Sequence, residues 1–336
     1  MDEINKVARE RMKGYCRVCP VCDGRACAGE VPGMGGLGTG SGFAANLQSL
    51  AALRFNMRLV HDVSDPDTRI GLLGQSLALP LLAAPIGGVA FNMGGRISEE
   101  DYISAVLGGC VQAGIWGCVG DGVPDFIHQA GYAAIKTLGG KAIPFIKPWE
   151  DAEFFDKVDK ALAAGATIIG MDIDAAGLIT LKQMGRPVSP KSPRKLGEII
   201  KQVKAQFILK GVMSVVDAKM AVDAGARAIV VSNHGGRVLD HTPGAAEVLP
   251  EIAAAVQGRI AILADGGVRT GGDILKMLAL GADAVMIGRP FSVAAVGGLQ
   301  EGVAQYIQRI TGELKAAMVL TGTARADDVD RTILRS

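Results

Sequence analysis

From residue 77 onward, short and nearly unbroken apolar runs alternate with longer segments of helical period. The runs are Leu81–Pro85, Ile115–Val119, Ala142–Ile146, Thr167–Asp172, Gln206–Lys210, Ala228–Ser232, Ile260–Ala264 and Ala284–Ile287. They carry little polar alternation, so they predict strands buried on both faces, as in a parallel sheet covered by helices. Between several of them a glycine step recurs, at Ala164–Gly165–Ala166, Ala224–Gly225–Ala226 and Leu280–Gly281–Ala282, where a helix must give way to the next strand. Successive βα units of this kind predict an α/β fold, a (β/α)8 TIM barrel over residues 77–336. Residues 1–76 read as an N-terminal helical and Cys-rich extension packed on the barrel within one domain, with a helix over Ala44–Phe55 and then a short strand-like stretch. Residues 291–322 predict helices that close the barrel.

Charge narrows the class of partner. Lysine and arginine number 35 against 34 aspartates and glutamates, which leaves no net field to hold nucleic acid or an anionic membrane. A small molecule is the expected partner. The longest apolar stretch, Leu77–Phe91, is too short for a bilayer and is broken by Pro80 and Pro85, so no membrane span is expected. Met1–Gly14 lacks the basic start, apolar centre and small-residue cleavage site of a secretory signal, which predicts a cytoplasmic protein. The segment Lys182–Lys195 holds three prolines with Lys182, Arg186, Lys191, Arg194 and Lys195, and reads either as a mobile lid or as a solvated basic loop.

Four cysteines fall close together at Cys16, Cys19, Cys22 and Cys27, spaced C-x2-C-x2-C-x4-C. Four thiolates are a donor set for zinc or an iron-sulfur cluster, and the plainer alternative is four reduced thiols. Cys110 and Cys118 lie in apolar segments and read as core.

The candidate chemistry gathers at strand ends, the face on which barrel enzymes build their active sites. Ser232–Asn233–His234–Gly235–Gly236–Arg237 follows the sixth run. Histidine is a free base near neutrality, and arginine presents a planar fork that matches a carboxylate. Asp265–Gly266–Gly267–Val268–Arg269 follows the seventh run and Gly288–Arg289–Pro290–Phe291 the eighth. Backbone amides and arginines in these two loops suit a phosphate.

The three motifs together closely resemble the FMN-dependent 2-hydroxy acid oxidases and dehydrogenases, over roughly residues 45 to 322. The resemblance implies FMN as cofactor and a role for each matching residue. His234 is the implied catalytic base, Arg237 the substrate carboxylate site, and Asp174 the partner of the histidine. Lys210 is implied beside flavin N1 and O2, where a positive charge favours the anionic reduced ring. Pro85, Ile86 and Gly87 are implied to face the ring and Ser232 to touch the cofactor. Asp265, Gly266, Gly267, Arg269, Gly288 and Arg289 match the phosphate site. The implied reaction oxidises a small (S)-2-hydroxy acid, lactate- or glycolate-like, to the 2-oxo acid, with oxygen or another electron acceptor, in a homo-tetramer.

Some positions depart from that family. Its two substrate-contacting tyrosines are missing, one within Gly38–Gly42 and one near Ile146, its flavin-touching glutamine reads as Pro144, and its threonine near the ring reads as Asp172. An aspartate there opposes a reduced anionic ring unless it is paired, and Lys147 is the expected partner. The lid arginine has Lys182 and Arg186 as candidates. The basic lid and absent tyrosines suit a second reading, an FMN-dependent isomerase like the type 2 isopentenyl diphosphate isomerases. A flavin-binding, metal-sensing protein rests on the cysteines alone.

Overall fold

The computed structural model describes residues 1–178, 181, 183–186, 188–256 and 258–335. An antiparallel hairpin comes first, β1 (Ile70–Leu72) with β2 (Gln75–Leu77). Eight strands then follow: β3 (Leu81–Ala83), β4 (Trp116–Val119), β5 (Ala142–Ile146), β6 (Ile168–Asp172), β7 (Gln206–Val212), β8 (Ala228–Val231), β9 (Ala261–Ala264) and β10 (Ala284–Ile287). All pair in parallel, and β10 returns to β3 to close a barrel. The protein is therefore a TIM barrel. β5, β6, β8 and β10 are buried at every position, which is why their sequences carry no polar face. Each predicted run overlaps its strand, with ends that shift by at most two residues; β7 runs two residues beyond its run.

Register decides which side chains meet at the rim. In the β6–β7 pair Met171 lies opposite Leu209, so Asp172 lies opposite Lys210. Beyond Lys210 the β7–β8 register shifts at an irregularity, where Gly211 has φ of +101°. A Cβ on Gly211 would stand 2.5 Å from Cγ of Asp174. Glycine thus lets Asp174 pack directly onto β7.

The lead-in helix is Ser41–Ala52, three residues earlier than expected. The shift has a local cause, because Asp240 caps its start. The Asp240 carboxylate accepts from the amides of Thr39 (2.6 Å) and Ser41 (3.1 Å) and from the Ser41 hydroxyl (2.7 Å). Helix Asp2–Arg11 packs on the long closing helix Arg289–Thr321, to which Arg11 donates at the Val296 carbonyl (2.8 Å). That closing helix is interrupted at Leu299. Among the described residues, no helix is long and apolar enough to cross a membrane.

Candidate active site

A cavity of about 260 Å³ opens at the C-terminal ends of the barrel strands. Its walls bring together residues at the ends of all eight barrel strands, among them Pro85, Lys147, Asp172, Lys210, His234 and Arg237. Ile86, Gly87, Asp265, Gly266, Gly267, Arg269, Gly288 and Arg289 also line it. Of the residues singled out by sequence, Asp174 and Ser232 stand behind the wall. Ser232 is fully buried, and its hydroxyl accepts from the His234 amide at 3.0 Å. It thereby shapes the loop that carries the histidine.

His234 adopts a positive φ of 57°, a conformation that costs a non-glycine residue energy and concentrates at functional sites. Its Nδ1 lies 3.0 Å from Oδ1 of Asp174 and 3.6 Å from Oδ1 of Asp172. With Nδ1 engaged by carboxylates, Nε2 is the nitrogen left to exchange a proton. Asp172 Oδ1 also accepts from Nζ of Lys210 at 2.9 Å. Burial alone would raise the Asp172 carboxyl, but His234 and Lys210 outweigh it and hold the group well below the usual carboxylate range. Likewise burial works against the Lys210 ammonium, and Asp172, then Asp174 and Asp265, keep it firmly charged. Lys147, the expected partner of Asp172, instead donates to the Asp121 carbonyl at 2.7 Å.

Strand parity corrects a second expectation. Phe145 and Lys147, rather than Pro144 and Ile146, line the cavity, so these are the side chains at the level of the missing tyrosine and glutamine. Within Gly38–Gly42, Thr39 and Ser41 are committed to Asp240.

Three guanidiniums surround the cavity, and among the described residues none has a carboxylate within 4 Å. Arg237 donates to the Gly33 carbonyl and to Oδ1 of Asn92 (3.1 Å). Arg289 donates to the carbonyls of Met34 (2.6 Å), Gly35 (2.9 Å) and Gly235 (3.1 Å), and stacks over Phe43 at 4.1 Å. Arg269 reaches the Val268 carbonyl (3.0 Å), while its Nε is buried with no partner. Desolvation pushes Arg237 down to about 10; desolvation and then repulsion from Arg237 and Arg269 push Arg289 down to about 9. Both stay cationic at neutral pH. The backbone amides of Gly266 and Gly267 also find no acceptor among the described residues. Unneutralised cations, an orphaned donor and free amides at two strand ends fit a phosphate-bearing cofactor such as FMN.

Several residues that hold the site were missed by sequence. Asn46 donates from Nδ2 to Oδ1 of Asn233 (2.7 Å) and accepts from the Ala245 amide (3.0 Å), and its side chain fills the space a Cβ on Gly266 would need. Glu99 accepts from the amides of Gly88 (2.9 Å) and Val89 (2.7 Å), fixing the loop that carries Pro85–Gly87. Asp121 is held by Lys157 (2.6 Å) and by the Trp149 indole (2.5 Å). All three are buried polar groups, and nothing in a single sequence separates them from surface residues.

Within the basic segment Met184 lines the cavity, while four of its cations are engaged elsewhere. Arg186 pairs with Glu153 at 2.6 Å and stacks over Trp149 at 5.2 Å, Lys191 donates to the Trp149 carbonyl (3.0 Å), and Lys195 pairs with Asp151. Arg186 is therefore spoken for, and Lys182 lies outside the described residues. Engaged by carboxylates and a carbonyl, Arg186, Lys191, Arg194 and Lys195 offer no support for a diphosphate substrate. The cysteine segment roofs the phosphate side, with Cys22 Sγ 3.7 Å from Nη2 of Arg269. Among the described residues no three of its sulfurs lie within 4.8 Å of one another, whereas a zinc tetrahedron with bonds of about 2.3 Å needs edges near ~3.8 Å. The four cysteines form no disulfide, and their spacing in the fold gives no support to a zinc or iron-sulfur site.

The comparisons with known proteins agree with this geometry. The model of the FMN-dependent dehydrogenase family matches residues 33–186 and 176–336. The 4-hydroxymandelate oxidase of Amycolatopsis orientalis is 33% identical over 322 residues, covering 86% of this chain and 88% of that protein. The L-lactate oxidase of a Nostoc species is 30% identical over 344 residues, covering 88% and 91%. A crystal structure of mandelate oxidase with (S)-2-phenylpropionate superposes with a TM-score of 0.81 at 29% identity, covering 99% of this chain and 97% of that one. The chain belongs to the FMN-dependent dehydrogenase family, that of the FMN-dependent 2-hydroxy acid oxidases and dehydrogenases, and is a flavoprotein oxidoreductase.

Proposed function

We propose that this enzyme oxidises an (S)-2-hydroxy acid to the 2-oxo acid, with Arg237 binding the carboxylate and His234 taking a proton from the C2 carbinol. The observation that carries the reading is that both side chains line one cavity, His234 backed by Asp174 at 3.0 Å and Arg237 free of any acidic partner among the described residues. FMN, when bound, supplies the two-electron acceptor. Arg269, Arg289 and the amides of Gly266 and Gly267 would hold its phosphate, and Pro85, Ile86 and Gly87 would line the ring. Asp174 orients the imidazole and stabilises its protonated form. Lactate- and glycolate-like acids are the first substrates to try, with oxygen or another carrier as acceptor. Incubating the FMN-loaded protein with single 2-hydroxy acids and an artificial acceptor, then assaying 2-oxo acid and FMN content, tests the reading. One product equivalent per acceptor reduced supports it; FMN-loaded protein that yields no 2-oxo acid from any acid of the panel refutes it.

A further inference from the structure

The mouth of the barrel carries an unusual balance of charge beneath the catalytic histidine. Lys210 is the lysine that the family places by flavin N1, and it is buried at 4% exposure. Among the described residues its Nζ has one hydrogen-bond partner, Oδ1 of Asp172 at 2.9 Å, and Asp172 is itself buried. The same oxygen lies 3.6 Å from Nδ1 of His234. The groups facing this pair come from every neighbouring strand end. Asp174 follows β6, His234 follows β8, Asp265 follows β9, and Lys147 follows β5 and is held at the Asp121 carbonyl. Three carboxylates, Asp172, Asp174 and Asp265, thus face two lysines, one of them tied elsewhere, and an imidazole. Asp265 keeps one oxygen, Oδ1, buried without a partner.

We infer that Asp172 is a tuning residue that cancels the charge of Lys210, so that the reduced flavin of this enzyme keeps its N1 proton instead of being held as the anion. The inference rests on FMN occupying the cavity. Its physics is a competition for one ammonium. A lysine with no counter-ion gives its charge to a negative N1, whereas a lysine already bonded at 2.9 Å to a buried carboxylate gives little, and that carboxylate repels the anion directly. Two-electron reduction of the flavin adds one proton at N5; retention of the N1 proton consumes a second, taken from solvent.

The proton count is measurable without turnover. For a two-electron couple each proton taken up lowers the midpoint potential by about 30 mV per pH unit. FMN is first quantified in the purified holoprotein, and its potential is measured against reference dyes from pH 7.5 to 9. The near-ultraviolet spectrum of the chemically reduced protein, recorded in parallel, reports the N1 proton itself and so separates it from any proton taken up by His234. Wild type is expected to fall by about 59 mV per unit with the spectrum of neutral reduced flavin, and Asp172→Thr by about 30 mV with the anionic spectrum. Holoprotein with FMN bound but an anionic spectrum in wild type overturns this inference alone. An unchanged neutral spectrum in FMN-loaded Asp172→Thr removes Asp172 as the cause. A preparation that takes up no FMN overturns the inference and the proposed function together.

Discussion

Replacing Arg237 by methionine isolates the interaction that makes the site selective for acids. Methionine keeps an unbranched side chain of similar reach and removes the guanidinium. In the free protein the guanidinium is satisfied by a backbone carbonyl and the Asn92 amide, and no acidic group competes for it among the described residues. A substrate carboxylate is therefore its first full counter-charge. Arg237 is half-buried, so the loss is taken from the lower part of the range for a desolvated charge pair, about 2–4 kcal/mol. At 1.36 kcal/mol per tenfold this is a loss of about 30- to 1,000-fold in kcat/KM. The assay is steady-state oxidation of one acid and of its neutral amide by wild type and variant. Wild type should favour the acid, and Arg237→Met should lose that preference while its activity on the amide changes by less than about threefold. A variant that still prefers the acid by the wild-type factor would refute the assignment of Arg237.

Three further outcomes are expected. Arg269→Met removes the orphaned Nε and should weaken FMN about 10- to 150-fold while leaving riboflavin, which has no phosphate, nearly unchanged; equilibrium titration of apoprotein with both flavins reads the difference. Lys157→Met strands the Asp121 carboxylate among the Trp149 indole and backbone amides and should cost about 3–5 kcal/mol, a fall in Tm of roughly 4–7 °C for a chain of 336 residues; adding Asp121→Asn should recover part of it, and a fall under about 1 °C contradicts the reading. Burial raises the Cys16 and Cys27 thiols, raises Cys110 to about 12, and raises Cys118 well above the ordinary thiol value. Since a thiolate appears only as pH rises towards its pKa, iodoacetamide should label Cys16 and Cys27 slowly at pH 7.5 and faster at pH 9, and should spare Cys110 and Cys118 in the folded protein; mass mapping that finds Cys110 labelled as fast as Cys16 is the contrary result.

The barrel was legible because its strands are buried on both faces and its helices end at glycine, two patterns that survive in a single sequence. The chemistry at strand ends was legible for the same reason, since His234, Arg237 and Arg269 follow apolar runs with glycines around them. Side-chain direction was not. β5 is buried throughout, so no polar alternation marks which of Pro144, Phe145, Ile146 and Lys147 point inward, and the sequence match slipped by one. The Asp172–Lys210 pair depends on the register between two strands whose ends are 38 residues apart in the chain. Arg186 looked available because its partner, Glu153, lies a helix and a strand away. The cysteine spacing suggested a metal, and what it could not show is that the fold holds the segment against Arg269.

The most direct measurement is anaerobic stopped-flow mixing of FMN-loaded protein with its best 2-hydroxy acid, following flavin absorbance near ~450 nm, in wild type and in His234→Ala. The account expects rapid bleaching in wild type, slowed about 10²- to 10⁴-fold by the substitution with FMN content unchanged. Bleaching of FMN-loaded His234→Ala at the wild-type rate would contradict it.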